Sequence, residues 1–155
     1  EQAHNGTLFL DEVSELSLPV QAKLLKTIET GTFYRLGSTK EIRVDIRLIF
    51  ATNVNLKQLV EAKKFRFDLY HRISRVQFYL PPLRKQTDKM TYFVHTFLDG
   101  SGKTIGSEAM DKLKNYSWEG NLRELQNCLM RACVLAESDT ISPENVVFDS
   151  ILLTV

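Results

Sequence analysis

The chain has 155 residues, of which 43% are hydrophobic and 25% are charged, so its composition is ordinary for a globular protein. Twenty basic residues against nineteen acidic ones leave a net charge of +1, which argues against a protein that binds DNA by itself. No apolar run reaches the roughly 18 residues needed to span a bilayer, and no secretory leader opens the chain. We therefore expect a cytoplasmic protein with no membrane partner.

The first elements in chain order alternate between strand and helix. The apolar run Thr7–Leu10 predicts a buried strand whose carboxyl end presents the acid pair Asp11-Glu12. A helix with apolar residues at helical spacing follows, and Gly31 is expected to end it. The stretch Val44–Ala51 alternates and then becomes apolar, which predicts a second strand of a covered sheet.

Two short helices and a third strand are predicted next. Asn55 suits the cap of a helix through residue 62, and a second short helix is expected over Arg66–Arg72. The pattern Arg75–Leu80 predicts a third strand, and Pro81-Pro82 indicates a domain joint because proline fixes the backbone and lacks an N–H group. Beyond it the pattern is helical over residues 83–98, 108–116 and 121–136. The prediction is an α/β core over residues 1–82 followed by an all-helical subdomain over 83–155.

Adjacent carboxylates at the end of a buried strand are the first candidate site. Asp11 and Glu12 are costly to desolvate unless a cation lies opposite them, and a hydrated Mg²⁺ would supply that charge. The neighbouring acid can then polarise a water for attack on phosphorus. The alternative is a strand end that emerges into solvent with two surface acids.

Thr52 and Asn53 end the second predicted strand at the same edge of the sheet, where open α/β sheets place ligands. Either side chain can orient a water or a phosphate oxygen. The alternative is a turn whose side chains satisfy their own backbone.

Three arginines are further candidates. Arg66 and Arg72 lie six positions apart, which on a helix separates them by about 120°, so they cannot readily clamp one phosphate together. Arg123 falls in the first turn of the last helix, where a cation opposes the helix dipole and an anionic partner would explain it. The alternatives are surface ion pairs, with acids such as Asp68 for the first two.

Five motifs in register resemble the central AAA+ ATPase domain of sigma-54-dependent transcriptional activators, the NtrC-like bacterial enhancer-binding proteins. The resemblance begins at the Walker B motif and so corresponds to the C-terminal portion of that domain. In chain order the motifs are Walker B (Gly-Thr-Leu-Phe-Leu-Asp-Glu, 6–12), sensor I (Ala51-Thr52-Asn53), the arginine-finger helix (Phe65–Arg72), the core–lid joint (Leu80–Arg84) and sensor II (Trp118–Leu125).

The resemblance implies a role for each candidate residue and an ATP site with Mg²⁺. Asp11 would coordinate Mg²⁺, and Glu12 would activate the attacking water. Thr52 and Asn53 would sense the γ-phosphate. Arg123 would contact the nucleotide from the lid.

The resemblance also implies partners. Arg66 and Arg72 would act in trans on the nucleotide of the adjacent protomer, within a homo-oligomer that is typically a hexameric ring. The family remodels sigma-54 RNA polymerase, which it contacts through a Gly-Ala-Phe-Thr-Gly-Ala loop that this sequence does not contain. DNA would be bound only through a separate domain. The segment Leu36–Val44 would match a pore-side loop.

The family's phosphate-binding loop precedes Walker B, and we expect it to be missing from these 155 residues. Gly102-Lys103-Thr104 resembles the end of that motif, but Phe97 stands where its first glycine should be. The expected sheet therefore has a gap beside Leu48–Ala51, where the P-loop strand would lie. We predict that the 155 residues alone do not bind nucleotide measurably.

Glu119 departs from the family, because a proline usually follows the tryptophan of sensor II, and it puts a negative charge near Arg123. The leading interpretation remains part of a sigma-54 interaction ATPase domain. A second is a regulatory or assembly module without a P-loop, which supplies arginine fingers or an oligomerisation surface without turnover. A third, another AAA+ family such as a chelatase subunit or helicase loader, is disfavoured by the arginine-finger and sensor II motifs.

Overall fold

A computed structural model describes residues 1–148, which form two compact units. The first unit is Glu1–Phe78 and the second begins at Tyr79. The first is an α/β layer and the second is mainly helical, so the predicted α/β core with a helical subdomain behind it is confirmed. The boundary expected at residues 82 and 83 remains a prediction. Among the described residues, no helix is long and apolar enough to cross a membrane.

The first unit is built on two parallel strands, the first of which ends just before the candidate acids. The elements are β1 (Gly6–Leu10), α1 (Leu18–Thr30), β2 (Thr32–Tyr34), β3 (Glu41–Arg43), β4 (Ile46–Phe50), α2 (Leu56–Glu61) and α3 (Phe67–Ile73). Strand β1 pairs with β4 in register, with Leu8 opposite Leu48, and β2 forms an antiparallel hairpin with β3. Helix α1 is followed by Gly31, whose positive φ of 68° is the left-handed geometry expected of a C-terminal glycine.

A small apolar core joins the end of β1 to helix α3. Val13, Phe65 and Leu69 are its buried residues, and half-buried side chains of α1 and α2 pack around them. Because Val13 directly follows the acid pair and Phe65 directly precedes Arg66, one core supports both candidate sites.

The third strand predicted over residues 75–80 is wrong for the described part of the chain. Arg75 lies in a turn, Val76 lies in a bend and residues 77–80 belong to no regular element, while Phe78 and Leu80 are 89% and 87% exposed. A strand needs a hydrogen-bonded partner, and none of the described strands pairs with this segment. The apolar pattern therefore does not correspond to a strand within residues 1–148.

The second unit packs three helices around one buried core. Two 3-10 turns, Leu83–Lys85 and Thr87–Lys89, precede the first helix, so the helix predicted to start at residue 83 begins seven residues later. Gln86, with φ −129° and ψ 37°, breaks the helical path between the turns. The elements are α4 (Met90–Leu98), β5 (Thr104–Ile105), α5 (Ser107–Lys114), α6 (Asn121–Leu135) and β6 (Thr140–Ile141).

A two-residue parallel pair, β5 with β6, adds to this helical unit a feature that the sequence pattern did not predict. Trp118 is fully buried in the core and donates its indole N–H to the carbonyl of Leu113 at 2.8 Å. Tyr116 and Phe148 stack on each other and each meets the Trp118 ring edge to face. The predicted extent of the subdomain beyond residue 148 lies outside the described residues.

Candidate functional site

The acid pair lies at the carboxyl end of β1, in a turn held on both sides by the neighbouring strand. The N–H of Ala51 donates to the carbonyl of Leu10 at 2.9 Å, and the N–H of Val13 donates to the carbonyl of Ala51 at 3.0 Å. Asp11 and Glu12 therefore occupy a turn that is fixed between two strand hydrogen bonds.

Glu12 has a left-handed backbone, with φ 50° and ψ 45°, which is unfavourable for a residue with a Cβ atom. Its backbone N–H donates to Oδ1 of Asp11 at 2.9 Å, which holds the Asp11 carboxylate against the backbone of the turn. Both residues are exposed, and neither makes an ion pair with another residue of the described chain. Backbone strain of this kind persists only where the surrounding structure holds the residue in place, and it is common at functional sites.

The pair of residues at the end of β4 is brought beside this turn, as the sequence predicted from the parallel strands. Thr52 and Asn53 directly follow Ala51, whose N–H and carbonyl both bond to the acid-bearing segment. The hydroxyl of Thr52 lies 3.2 Å from the N–H of Val54 and accepts from it, so one function of this side chain is to hold its own turn. The Asn53 side chain is exposed.

The side chains at the carboxyl ends of β1 and β4 suit a hydrated magnesium ion better than a metal ion held by protein ligands alone. No cluster of three potential ligands occurs within residues 1–148, so a metal held entirely by the protein has no support there. Mg²⁺ keeps several waters and is usually held by one or two carboxylates together with phosphate oxygens. An exposed, unpaired Asp11 beside Glu12 meets that requirement.

Arg66 immediately precedes helix α3, and its guanidinium is folded back onto Asp68. Nε and Nη2 donate to the two carboxylate oxygens at 3.0 and 2.7 Å. The hydrogen bond from Arg66 holds the pKa of Asp68 below its usual value, and the same contact raises the pKa of Arg66. Both side chains are 40–50% exposed, so another anion can replace Asp68 as the partner of Arg66 at a small cost in free energy.

The expectation that Arg66 and Arg72 point about 120° apart on one helix is wrong, because only Arg72 lies in helix α3. Arg66 has extended backbone, with φ −73° and ψ 133°, and so its direction is not set by helical geometry. Arg72 lies in the last turn of α3 and is half-buried.

In the second unit, Arg123 lies in the first turn of α6, and its side chain is exposed. It makes no ion pair with another described residue. Glu119, the acid that departs from the family motif, lies 3.9 Å from Nη1 of Arg84 and so is paired away from Arg123.

Helix α6 starts at Asn121, as the predicted span 121–136 has it, but the side chain of Asn121 does not cap the helix. It is the first residue of α6, with a φ of 56°, and Gly120 precedes it. Its side-chain oxygen accepts from the N–H of Leu83 at 2.8 Å. The asparagine therefore fixes the segment after Pro82 within this unit, and Glu124 accepts from the N–H of Gly120 at 2.8 Å.

The segment that resembles a phosphate-binding loop is used differently in the structure. The ammonium group of Lys103 donates to the carbonyls of Ala136 and Ser138, at 3.0 and 2.6 Å. Because the Lys103 ammonium group is bound to two backbone carbonyls just after α6, it is not available for a phosphate. The interpretation of Gly102-Lys103-Thr104 as a loop rather than a P-loop agrees with these bonds.

Sequence reasoning missed Gln21, whose side chain is fully buried in helix α1. The apolar residues at helical spacing that predict this helix are Val20, Leu24, Leu25 and Ile28, but Val20 is 44% exposed. Gln21 lies three, four and seven positions before the other three, which is the spacing of the buried face. A polar residue at that position was the available signal.

The architecture and the strand-end acids define a P-loop-type α/β core with a helical lid. Residues 1–79 match the Sigma-54 interaction domain family, and residues 90–150 match the AAA+ ATPase lid domain. The chain therefore belongs to the Sigma-54 interaction domain family.

Relatives in several bacteria share most of the chain. Nitrogen fixation protein AnfA of Azotobacter vinelandii is 43% identical over 153 residues, which are 94% of this chain and 29% of that protein. The anaerobic nitric oxide reductase transcription regulator NorR of Salmonella agona is 41% identical over 151 residues, 93% of this chain and 30% of that protein. The chain thus spans less than a third of the length of these relatives.

Solved structures show the same fold. NtrX from Brucella abortus, crystallised in complex with ADP, superposes with a TM-score of 0.87 at 32% identity and covers 94% of this chain and 36% of that one. NtrX in complex with ATP gives a TM-score of 0.86 at the same identity, with 94% and 37% covered.

Proposed function

We propose that this chain supplies the hydrolysis and sensing half of an ATP site in a bacterial transcription regulator that remodels sigma-54 RNA polymerase. The observation that carries the proposal is the strained Asp11-Glu12 turn at the carboxyl end of β1, fixed by Ala51 and left without a protein cation. Family membership supports it, because the matching domain is named for its interaction with sigma-54. The nucleotides bound to NtrX support ATP as the substrate.

Each candidate residue has a defined part in this proposal. Asp11 would hold Mg²⁺, which offsets charge on the phosphates when bound. Glu12 would accept a proton from the attacking water, and Thr52 with Asn53 would orient that water or the terminal phosphate. Arg123 would meet the nucleotide from the lid.

Arg66 and Arg72 would act across a subunit boundary, in a homo-oligomeric ring. Support comes from the exposed guanidinium of Arg66, which is held by one half-exposed carboxylate and can be released to a phosphate. An arginine supplied in trans stabilises the charge that develops on the transferred phosphoryl group.

The test is the ATPase rate of the full-length protein with Glu12→Gln, compared with Glu15→Gln as a matched control. Glu15 is also exposed and ends the 3-10 turn that follows the acid pair. Loss of a general base lowers kcat by about 10²- to 10⁴-fold, so Glu12→Gln should abolish turnover while ATP binding is retained. Glu15→Gln should turn over at the wild-type rate.

Wild-type turnover by Glu12→Gln would refute the assignment of the water-activating acid. A full-length wild-type protein that binds its partner subunits but does not hydrolyse ATP would favour the alternative, a regulatory or assembly module without turnover. These two outcomes can be told apart, because the wild-type protein hydrolyses ATP in the first and does not in the second.

A further inference from the structure

One polar side chain is completely buried in the first unit, and it lies next to the backbone of the candidate arginine finger. Gln21 has no exposed surface, and it is the one buried polar or charged residue among those described. A buried amide is unfavourable unless its donors and acceptor are satisfied, so its contacts indicate what it is there to hold.

All three hydrogen-bonding groups of the Gln21 amide have backbone partners. Nε2 donates to the carbonyl of Leu16 at 2.7 Å and to that of Lys64 at 3.2 Å. Oε1 accepts from the N–H of Arg66 at 2.8 Å. The opposite amide orientation would face two carbonyls with an oxygen and an N–H with an NH₂ group, so the contacts allow only this one.

The bond to Arg66 satisfies a backbone donor that the helix cannot. Arg66 precedes the first residue of α3, so its N–H has no partner inside that helix. Gln21 provides the acceptor and ties this point to Leu16, which follows the turn after Glu12, and to Lys64 in the loop before Phe65.

The backbone of Arg66 is thus fixed in the interior of the unit, whereas its guanidinium is not. The backbone N–H is held by a buried amide, and the guanidinium is bound, among the described residues, only to the half-exposed Asp68. This arrangement suits a residue that must reach a neighbouring subunit. The hydrogen bond from Gln21 fixes the direction of the side chain, and the weak ion pair with Asp68 lets the guanidinium be released.

We propose that Gln21 is a positioning residue for Arg66, setting the direction from which its guanidinium reaches the nucleotide of the adjacent subunit. The inference rests on the proposed function, because it assumes that Arg66 acts in trans. Gln21 does not itself touch the nucleotide in this proposal. Its effect on hydrolysis passes through the backbone of Arg66.

The variant Gln21→Met keeps the length and burial of the side chain but removes all three hydrogen bonds. Gln58→Met is the matched control, since Gln58 is an exposed glutamine on helix α2. A misplaced catalytic group can cost about 100-fold in rate, so Gln21→Met should lower kcat of the full-length protein by about that factor. KM for ATP should change little, because the lost interaction is made in the transition state. Gln58→Met should match the wild type.

Mixed rings separate a positioning role from general damage. Subunits with Glu12→Gln keep a functional Arg66 but cannot hydrolyse at their own site. Mixed with these, Gln21→Met subunits should regain turnover, because their own Glu12 is intact and the neighbour supplies the finger. Mixed with Arg66→Ala subunits, they should regain none, since neither partner then supplies a well-placed finger.

Several outcomes would overturn the inference. Full kcat in Gln21→Met, with Arg66→Ala inactive, would refute the positioning role and leave the proposed function standing. Recovery of Gln21→Met with Arg66→Ala subunits, or none with Glu12→Gln subunits, would also refute it. If Arg66→Ala itself keeps full activity, the role of Arg66 in trans is refuted and the positioning role of Gln21 with it, while the Glu12→Gln test still decides the proposed function.

A folding control keeps the test decisive. If Gln21→Met does not fold, Gln21→Leu takes its place in the same mixtures, because it is also apolar and removes the oxygen that accepts from the N–H of Arg66. The same pattern of turnover in the two mixtures is then expected. Wild-type kcat in a folded Gln21→Leu protein, together with no difference between the two mixtures, would refute the inference.

Discussion

Replacing Trp118 by phenylalanine is expected to loosen the helical unit without touching any group that meets nucleotide. Trp118 has no exposed surface, and its φ of 50° places a bulky residue in the left-handed region. It donates to the carbonyl of Leu113 and packs against Tyr116 and Phe148. The tryptophan of the sensor II motif therefore supports the turn that begins α6.

The size of the stability loss follows from what phenylalanine lacks. The lost indole hydrogen bond, 2.8 Å long, is worth about 0.5–1.5 kcal/mol. Roughly three ring atoms also leave a fully buried site, at about 0.8 kcal/mol for each buried methylene equivalent. The two terms together give an expected loss of about 3–4 kcal/mol, which holds if the neighbours close most of the cavity.

Amide hydrogen exchange of α6 in the full-length protein measures this loss locally. A change of about 3–4 kcal/mol accelerates exchange of the buried amides roughly 140- to 700-fold, since about 1.4 kcal/mol is tenfold. Tyr92→Ala is the control, because Tyr92 is 68% exposed on α4 and should change exchange very little. An acceleration below about threefold in Trp118→Phe, or an equal one in Tyr92→Ala, would contradict the assigned packing.

Two further predictions concern the first unit. Gly31→Ala should lower the free energy of unfolding by about 1–2 kcal/mol more than a usual surface substitution, because φ is 68° and the new Cβ would lie 3.3 Å from the carbonyl oxygen of Val44. Gly37→Ala is the control for the backbone strain alone, because Gly37 has a φ of 74° and a Cβ there would have no neighbour within 4 Å. The pairing with Arg66 lowers the pKa of Asp68. The contribution of this ion pair to the free energy of unfolding is therefore present above about pH 4 and is lost as the pH falls through the lowered pKa. The difference in thermal midpoint between Asp68→Asn and wild type should therefore shrink below pH 4, and a constant difference would contradict the pairing.

Strand ends and caps could be predicted because they depend on neighbouring residues alone. The run before Asp11 and the alternation before Thr52 gave two strands, and parallel strands bring their carboxyl ends to one edge. Asn55 accepts from the N–H two residues later, and Gly31 ends α1, as their residue types predicted. In both cases the deciding interaction spans only a few positions.

Pairing and long-range side-chain bonds could not be predicted in this way. The apolar pattern over residues 75–80 cannot reveal whether a neighbouring strand is there to pair with it. Asn121 starts α6 as predicted, but the pattern could not show that its side-chain oxygen accepts from the N–H of Leu83, 38 positions away. Gln21 bonds to Arg66 across 45 positions, so the pattern could mark it as a buried polar residue but not name its partner.

A structure of the full-length protein with Mg²⁺ and a non-hydrolysable ATP analogue tests the central claim most directly. We predict that the Asp11 carboxylate binds Mg²⁺ directly or through a metal-bound water, and that Glu12 faces the water next to the γ-phosphate. The claim would be contradicted by a nucleotide bound elsewhere, or by an Asp11-Glu12 turn that contacts only protein and solvent while nucleotide and metal are in place.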